Sequence, residues 1–160
     1  MGENMNIIKP ALLKNGDTIG ILAPSGAMDN DTNLKRGISF FEKRGFKVKL
    51  ADNIYSSNRY LAGSDKERLD AIHKMFSDKS INAIICLRGG YGAIRLINQI
   101  DYNVIRKNPK IFCGYSDITA LNVMFLKRAG LSTYSGPMIM SDFGQENLCD
   151  YTINKFFQTV

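Results

Sequence analysis

The run Ile81-Asn-Ala-Ile-Ile-Cys-Leu87 is apolar almost throughout, and it stops abruptly at Arg88-Gly-Gly-Tyr-Gly92. A strand with one wet face alternates polar and apolar residues. A strand that is apolar on both sides must be covered on both sides, which is the situation inside a parallel sheet flanked by helices. That single run therefore constrains the fold more than any other stretch.

The remaining pattern agrees with it. Thr18-Ile-Gly-Ile-Leu-Ala follows the turn Lys14-Asn-Gly-Asp and reads as a buried first strand ending at Pro24-Ser25-Gly26. Asp31 or Thr32 is then expected to cap a helix with Leu34, Ile38 and Phe41 on one face, and Gly45 is expected to stop it. Phe46-Lys-Val-Lys-Leu alternates like a strand with one wet face. After a polar loop with Tyr55 and Tyr60, Ser64-Asp-Lys-Glu67 is a capping box ahead of a helix bearing Leu69, Ile72 and Phe76. A helix with Ile94, Leu96 and Ile97 is expected after the third strand, then a shorter one over 102–106 ended by Pro109.

A fourth strand over 111–113 leads through Gly114 and Ser116 into a helix to Ala129, with Leu121, Met124 and Phe125 facing inward and Gly130 as its stop. A short strand over 131–134, an outgoing turn Ser135-Gly-Pro-Met and an amphipathic segment with Tyr151, Ile153, Phe156, Phe157 and Val160 close the chain. Alternating strands and helices imply right-handed βαβ crossovers. The expected fold is α/β: a mostly parallel sheet with helices on both faces, in a flavodoxin-like or class I glutamine-amidotransferase-like layout. The 160 residues suffice for one domain, 1–160. The apolar pattern at Val160 reads as unfinished, so a longer protein with a further, C-terminal domain is expected.

Composition excludes several classes. With 44% hydrophobic and 22% charged residues the chain is globular. No apolar run approaches the ~20 residues of a membrane span, and the first nine residues lack the basic start and apolar block of a signal peptide. A cytoplasmic protein is expected. The net charge of +6 invites a nucleic-acid reading. Yet the cations are scattered, the densest patch being Lys43, Arg44, Lys47 and Lys49, and no aromatic platform is interleaved with them. A solvated basic face is the better reading, with neither nucleic acid nor membrane as partner. Cys86, Cys113 and Cys149 show no zinc spacing and read as reduced thiols; no metal or organic cofactor is expected.

In a parallel sheet the loops after the strands emerge at one edge, where ligands bind. Arg88-Gly-Gly-Tyr-Gly92 and Gly114-Tyr-Ser-Asp117 thus share a rim. Strand, Gly-bearing turn, serine and helix make the layout of a nucleophile elbow, although Ile118 stands where the usual motif has its second glycine. Acyl transfer needs a nucleophile, a base and an oxyanion hole. Ser116 offers the hydroxyl, and the backbone N–H of Asp117 lies where an oxyanion would form. A second N–H is expected from Gly89 or Gly90.

Each feature has a plainer reading. Serine at a strand-to-helix junction is commonly an N-cap. A Gly-Gly-x-Gly loop is commonly a tight turn or a phosphate cradle. Arg88 suits a substrate carboxylate or a surface salt bridge, and the Asp117 side chain suits a helix start. A non-catalytic phosphate- or nucleotide-binding module is thus the alternative, without a P-loop Lys to support it. The one histidine, His73, sits on a helix flank away from the rim, so no general base is in view.

Pro24-Ser25, Tyr60-Leu-Ala-Gly-Ser-Asp-Lys-Glu-Arg68, Arg88-Gly-Gly-Tyr-Gly92, Gly114-Tyr-Ser-Asp-Ile-Thr-Ala-Leu121 and Gly136-Pro-Met with Asp142-Phe-Gly144 stand in the order found in the LD-carboxypeptidases. The chain resembles that family, which comprises muramoyl-tetrapeptide carboxypeptidases and related microcin-immunity peptidases. The resemblance implies a serine hydrolase with a Ser-Glu-His triad that removes the terminal D-alanine from cytoplasmic muropeptides during cell-wall recycling, in a homodimeric protein. It puts the nucleophile on Ser116, the oxyanion donors on the backbone of Asp117 and Gly90, and the triad Glu and His in a C-terminal domain beyond residue 160. Gly89, Tyr91, Arg88 and Ser135 are the implied substrate-binding positions. Ser135 departs from the aromatic or histidine that many members carry there.

Overall fold

The computed structural model describes residues 6–160. The lack of a signal-peptide pattern rests partly on residues 1–5, which lie outside the described residues. Four parallel strands form one sheet in the order β2-β1-β3-β4: β1 Thr18–Leu22, β2 Lys47–Leu50, β3 Ala83–Cys86 and β4 Ile111–Cys113. The register aligns Ile19 with Val48, Ile21 with Ile85, and Ile84 with Phe112. β2 is the outermost strand of the sheet on one side. It presents Lys47 and Lys49 to solvent while Val48 and Leu50 are half-buried. The layout therefore is the expected α/β one, and the loops after β3 and β4 are neighbours.

Alternation along the buried strands sends side chains to two cores. Ile84, Cys86 and Phe112 pack on one face with Ile72 and Phe76 of α2 (Asp65–Ser77), Ile105 of α3 (Tyr102–Lys107) and Leu121 of α4 (Thr119–Met124). Ile19, Ile21, Ile85 and Ile111 face the other core, with Leu34 and Phe41 of α1 (Asp31–Glu42) and Phe156 of α5 (Asp150–Thr159). The second core is rich in aromatic contacts; Phe41 and Phe143, for example, lie 4.8 Å apart by ring centroid.

Local chemistry explains the boundaries. The capping box forms as expected: the Ser64 backbone N–H donates to Glu67, 2.8 Å away, and the Glu67 backbone N–H returns a bond to the Ser64 hydroxyl. At α1 the cap is Asn30 rather than Asp31 or Thr32, because its side-chain oxygen accepts from the Thr32 amide at 2.9 Å. The expected helix at 94–97 shrinks to a 3₁₀ turn over Ala93–Arg95: the Ala93 amide is bound by a side chain of another loop, and Ile94 stays exposed. The expected strand over 131–134 forms only two isolated bridges. Leu131 pairs with Ile8 and Tyr134 with Cys113, so no two successive residues face one partner. α4 runs on through a wide π-type turn over Phe125–Ala129, which Gly130 ends at φ 72°. A similar turn over Ile139–Phe143 seats Phe143 in the second core, an element the pattern of apolar residues did not suggest.

Candidate active site

Ser116 begins the turn Ser116–Ile118 that leads from β4 into α4. Its φ is 61°, a left-handed conformation that glycine tolerates and other residues adopt under constraint. The constraints are visible. The Gly114 amide donates to the Tyr134 carbonyl at 3.1 Å, and the buried Asn122 side chain donates to the Gly114 carbonyl at 2.8 Å. An N-capping serine would have extended backbone and accept an amide with its hydroxyl. Ser116 does neither: the residue in the cap position is Tyr115, and no side-chain cap bond is made there. The hydroxyl is therefore free to face solvent, and Ser116 is exposed.

The glycine loop reaches the serine. A Cβ placed on Gly89 would lie 3.2 Å from the Ser116 hydroxyl oxygen and 3.5 Å from the Asp117 amide nitrogen. Gly90 has φ 132° and packs so closely that a Cβ would lie 3.2 Å from the Gly26 Cα. Only residues without side chains let the two loops approach this way. Among the described residues the amides of Gly90 and Asp117 donate to no protein acceptor. Together Arg88, Gly89, Gly90 and Ser116 line one cleft of about 510 Å³ with Asn30, Asn33 and Met140.

A carboxylate braces the rim from below. Asp117 Oδ2 accepts from the fully buried Ser25 hydroxyl at 2.6 Å and from the Ala93 amide at 2.9 Å. The Asp117 side chain thus ties together the loops after β1, β3 and β4, a larger role than a helix-start charge. The Gly26 amide adds a bond to the Gly89 carbonyl at 3.1 Å. Deeper still lies Arg68, with no exposed surface. Its Nη1 donates to the carbonyls of Pro24 at 2.9 Å and Gly92 at 3.0 Å, and its Nη2 pairs with Asp65. Arg95 and then Arg68 hold the Asp65 carboxyl below its ordinary value.

Sequence reasoning did not single out Ser25, Arg68 or Asn122 as parts of the site. A serine in a turn and an arginine in a helix read as solvated, and burial is the one signal that distinguishes them.

The other candidate positions are spread out. Arg88 lines the cleft, its Nη1 paired with Asp29. Tyr91 is exposed and meets Tyr60 edge-on, ring centroids 6.1 Å apart. Ser135 lines a second cleft of about 410 Å³ beside α5, with Tyr134 and Lys155. His73 accepts the Asp101 amide at 2.9 Å and joins α2 to the start of α3, so it serves the scaffold. The Cys113 thiol is pushed up to about 12 by burial and by Asp142, and burial also raises Cys86; neither is a nucleophile. Among the described residues no three His, Cys, Asp or Glu side chains converge as a metal site, and no helix is long and apolar enough to cross a membrane.

The serine and the glycine loop thus meet at one rim, and comparison with known proteins places the chain in a family. The model of the LD-carboxypeptidase N-terminal domain matches residues 19–136. A Bacillus subtilis (strain 168) protein named as a probable murein peptide carboxypeptidase is 42% identical over 140 residues, covering 88% of this chain and 44% of the relative. The structure of an MccF-like protein from Bacillus anthracis str. Ames superimposes with a TM-score of 0.90 at 37% identity, covering 94% of this chain and 46% of that one. That of a muramoyltetrapeptide carboxypeptidase from Oxalobacter formigenes does so with a TM-score of 0.80 at 35% identity, covering 89% and 47%. The chain spans about half the length of the relatives it matches. With its elbow, its glycine loop and its four-stranded parallel sheet, the chain belongs to the LD-carboxypeptidase family of serine carboxypeptidases.

Proposed function

We propose that residues 1–160 are the nucleophile-bearing half of a serine LD-carboxypeptidase that releases the terminal D-alanine from muropeptides in the cytoplasm, during cell-wall recycling. The observation that carries this is Ser116 at φ 61°, hydroxyl uncommitted, against the Gly89 backbone. In the proposed reaction Ser116 Oγ attacks the L,D-amide carbonyl. A His from the C-terminal domain, oriented by a Glu, takes the hydroxyl proton and passes it to the leaving amine. The amides of Gly90 and Asp117 hold the oxyanion; one such donor is worth ~3 kcal/mol in the transition state. Water then clears the acyl-enzyme. The active protein is a homodimer and needs no metal or organic cofactor.

A serine-directed phosphonate tests this. In the full-length protein it should label Ser116, and Ser116→Ala should abolish both labelling and D-alanine release from a murein tetrapeptide. Residues 1–160 alone should release little or none, since the proposed base lies in the C-terminal domain. Clear release by the fragment, or a full-length protein that resists the phosphonate and instead binds nucleotide tightly, would defeat the reading.

The likeness to the MccF-like protein supports a second reading, a microcin-immunity-type peptidase of the same family. Comparison of rates on a murein tetrapeptide and on an aminoacyl nucleotide separates the two.

A further inference from the structure

We infer that Arg88 reads the terminal carboxylate of the residue being released, with Asp29 as its resting partner, and that this pair restricts cleavage to the last peptide bond of a chain. The inference rests on the peptidase reading of Ser116.

Position comes first. Arg88 immediately precedes Gly89, whose added Cβ would lie 3.2 Å from the Ser116 hydroxyl oxygen. The guanidinium is therefore rooted one residue from the backbone that touches the nucleophile. In cleavage of a last peptide bond, the free carboxylate follows the scissile carbonyl by a single residue, about 4 Å along the chain. An anion reader must then share the cleft with the nucleophile, and Arg88 and Ser116 line the same one.

Charge comes second. Arg88 is the one cation among the residues lining the cleft, and Asp29 the one anion. Asn30, Asn33, Ser141 and Gln145 give the cleft neutral hydrogen-bonding groups suited to peptide amides. Among the described residues nothing else in the lining compensates a carboxylate.

Availability comes third. Arg88 Nη1 pairs with Asp29 and makes a long bond to the Ala27 carbonyl at 3.5 Å. Its Nε and Nη2 bond to no described residue, so much of the planar fork that grips carboxylates two-pronged is open. The pair with Asp29 is loosely held: the side chains are 34% and 62% exposed. An exposed ion pair of this kind is worth little, so a ligand carboxylate can displace Asp29 at small cost. Arg68 makes the contrast. It is fully buried and already bonded to two carbonyls and Asp65, and it has no such freedom. Asp29 holds the guanidinium at rest within the cleft lining and competes mildly with the ligand.

Two L,D-linked tetrapeptides that differ only in ending with D-alanine or D-alaninamide test the inference on the full-length protein. Wild type should favour the acid by about 30-fold or more in kcat/KM, the effect of a charge-assisted two-pronged contact. Arg88→Met should reduce that preference to less than about 3-fold, and Arg88→Lys, which keeps the charge but loses the fork, should fall between. Asp29→Asn should lower KM for the acid. An undiminished preference in Arg88→Met would overturn the inference, as would equal losses on both peptides, because the side chain would then merely position the glycine loop. Wild type that cleaves acid and amide alike would also overturn it. Failure to cleave either peptide, with Ser116 unlabelled by the phosphonate, would defeat the peptidase reading itself and this inference with it.

Discussion

At Ser116 the backbone holds a conformation that costs an L-residue about 1–2 kcal/mol. The cost is sustained because Asn122, Tyr134 and the Asp117 brace fix the residues around it. Glycine takes the same φ without penalty but loses more freedom on folding. Ser116→Gly should therefore raise stability by about 0.5–1 kcal/mol relative to Ser116→Ala in urea denaturation, while both variants lose phosphonate labelling. A Gly variant less stable than the Ala variant would mean that φ 61° is not strained here. Asp117 shows how one residue mixes two readings. Its place after the serine was legible from the elbow pattern, but its carboxylate bonds to Ser25 and Ala93 join loops far apart in sequence, and no local pattern announces them.

Elements differ in how openly their residues declare themselves. β1, β3 and β4 were legible because buried parallel strands are apolar throughout, β2 because its apolar residues alternate with lysines, and α2 because Ser64 and Glu67 cap it chemically. The 3₁₀ turn at Ala93–Arg95 and the wide turn at Ile139–Phe143 were not, since tertiary contacts rather than periodicity set them. Arg68 was hidden for the opposite reason: it lies in a helix that was read correctly, yet it points into the rim. Arg68→Met would leave the Pro24 and Gly92 carbonyls buried without a donor and Asp65 without one of its two arginines. A loss of about 2–4 kcal/mol is expected, against about 1 kcal/mol for removing the cap in Ser64→Ala. Chemical denaturation of both variants checks the order. Equal losses would show that Arg68 is no more than a surface residue in effect.

For the molecule as a whole, three carboxylates with lowered pKa values contribute to its response to acid. Arg95 and Arg68 lower the Asp65 pKa, the Ser64 backbone N–H and hydroxyl lower that of Glu67, and Lys49 followed by Ser80 lowers that of Asp78. A carboxyl whose folded pKa is depressed adds stability that is fully present above its unfolded value and is lost as pH falls through the folded one. Thermal midpoints should thus hold from neutrality to about pH 5 and decline below about pH 4.5, less steeply in high salt. Midpoints that stay level or rise between pH 5 and 3 would contradict the assignment.

The outer strand β2 carries a further meaning for the basic charge that first suggested nucleic acid. An outermost strand shows one row of unpaired backbone donors and acceptors to passing chains, a template for sheet-to-sheet clumping. Lys47 and Lys49 stand on this strand, both exposed, and Lys43 and Arg44 follow the end of α1 just before it. A second strand approaching that border would have to strip water from these ammonium groups. Lysines on such a border oppose edge-to-edge pairing, the first step of fibrous aggregation.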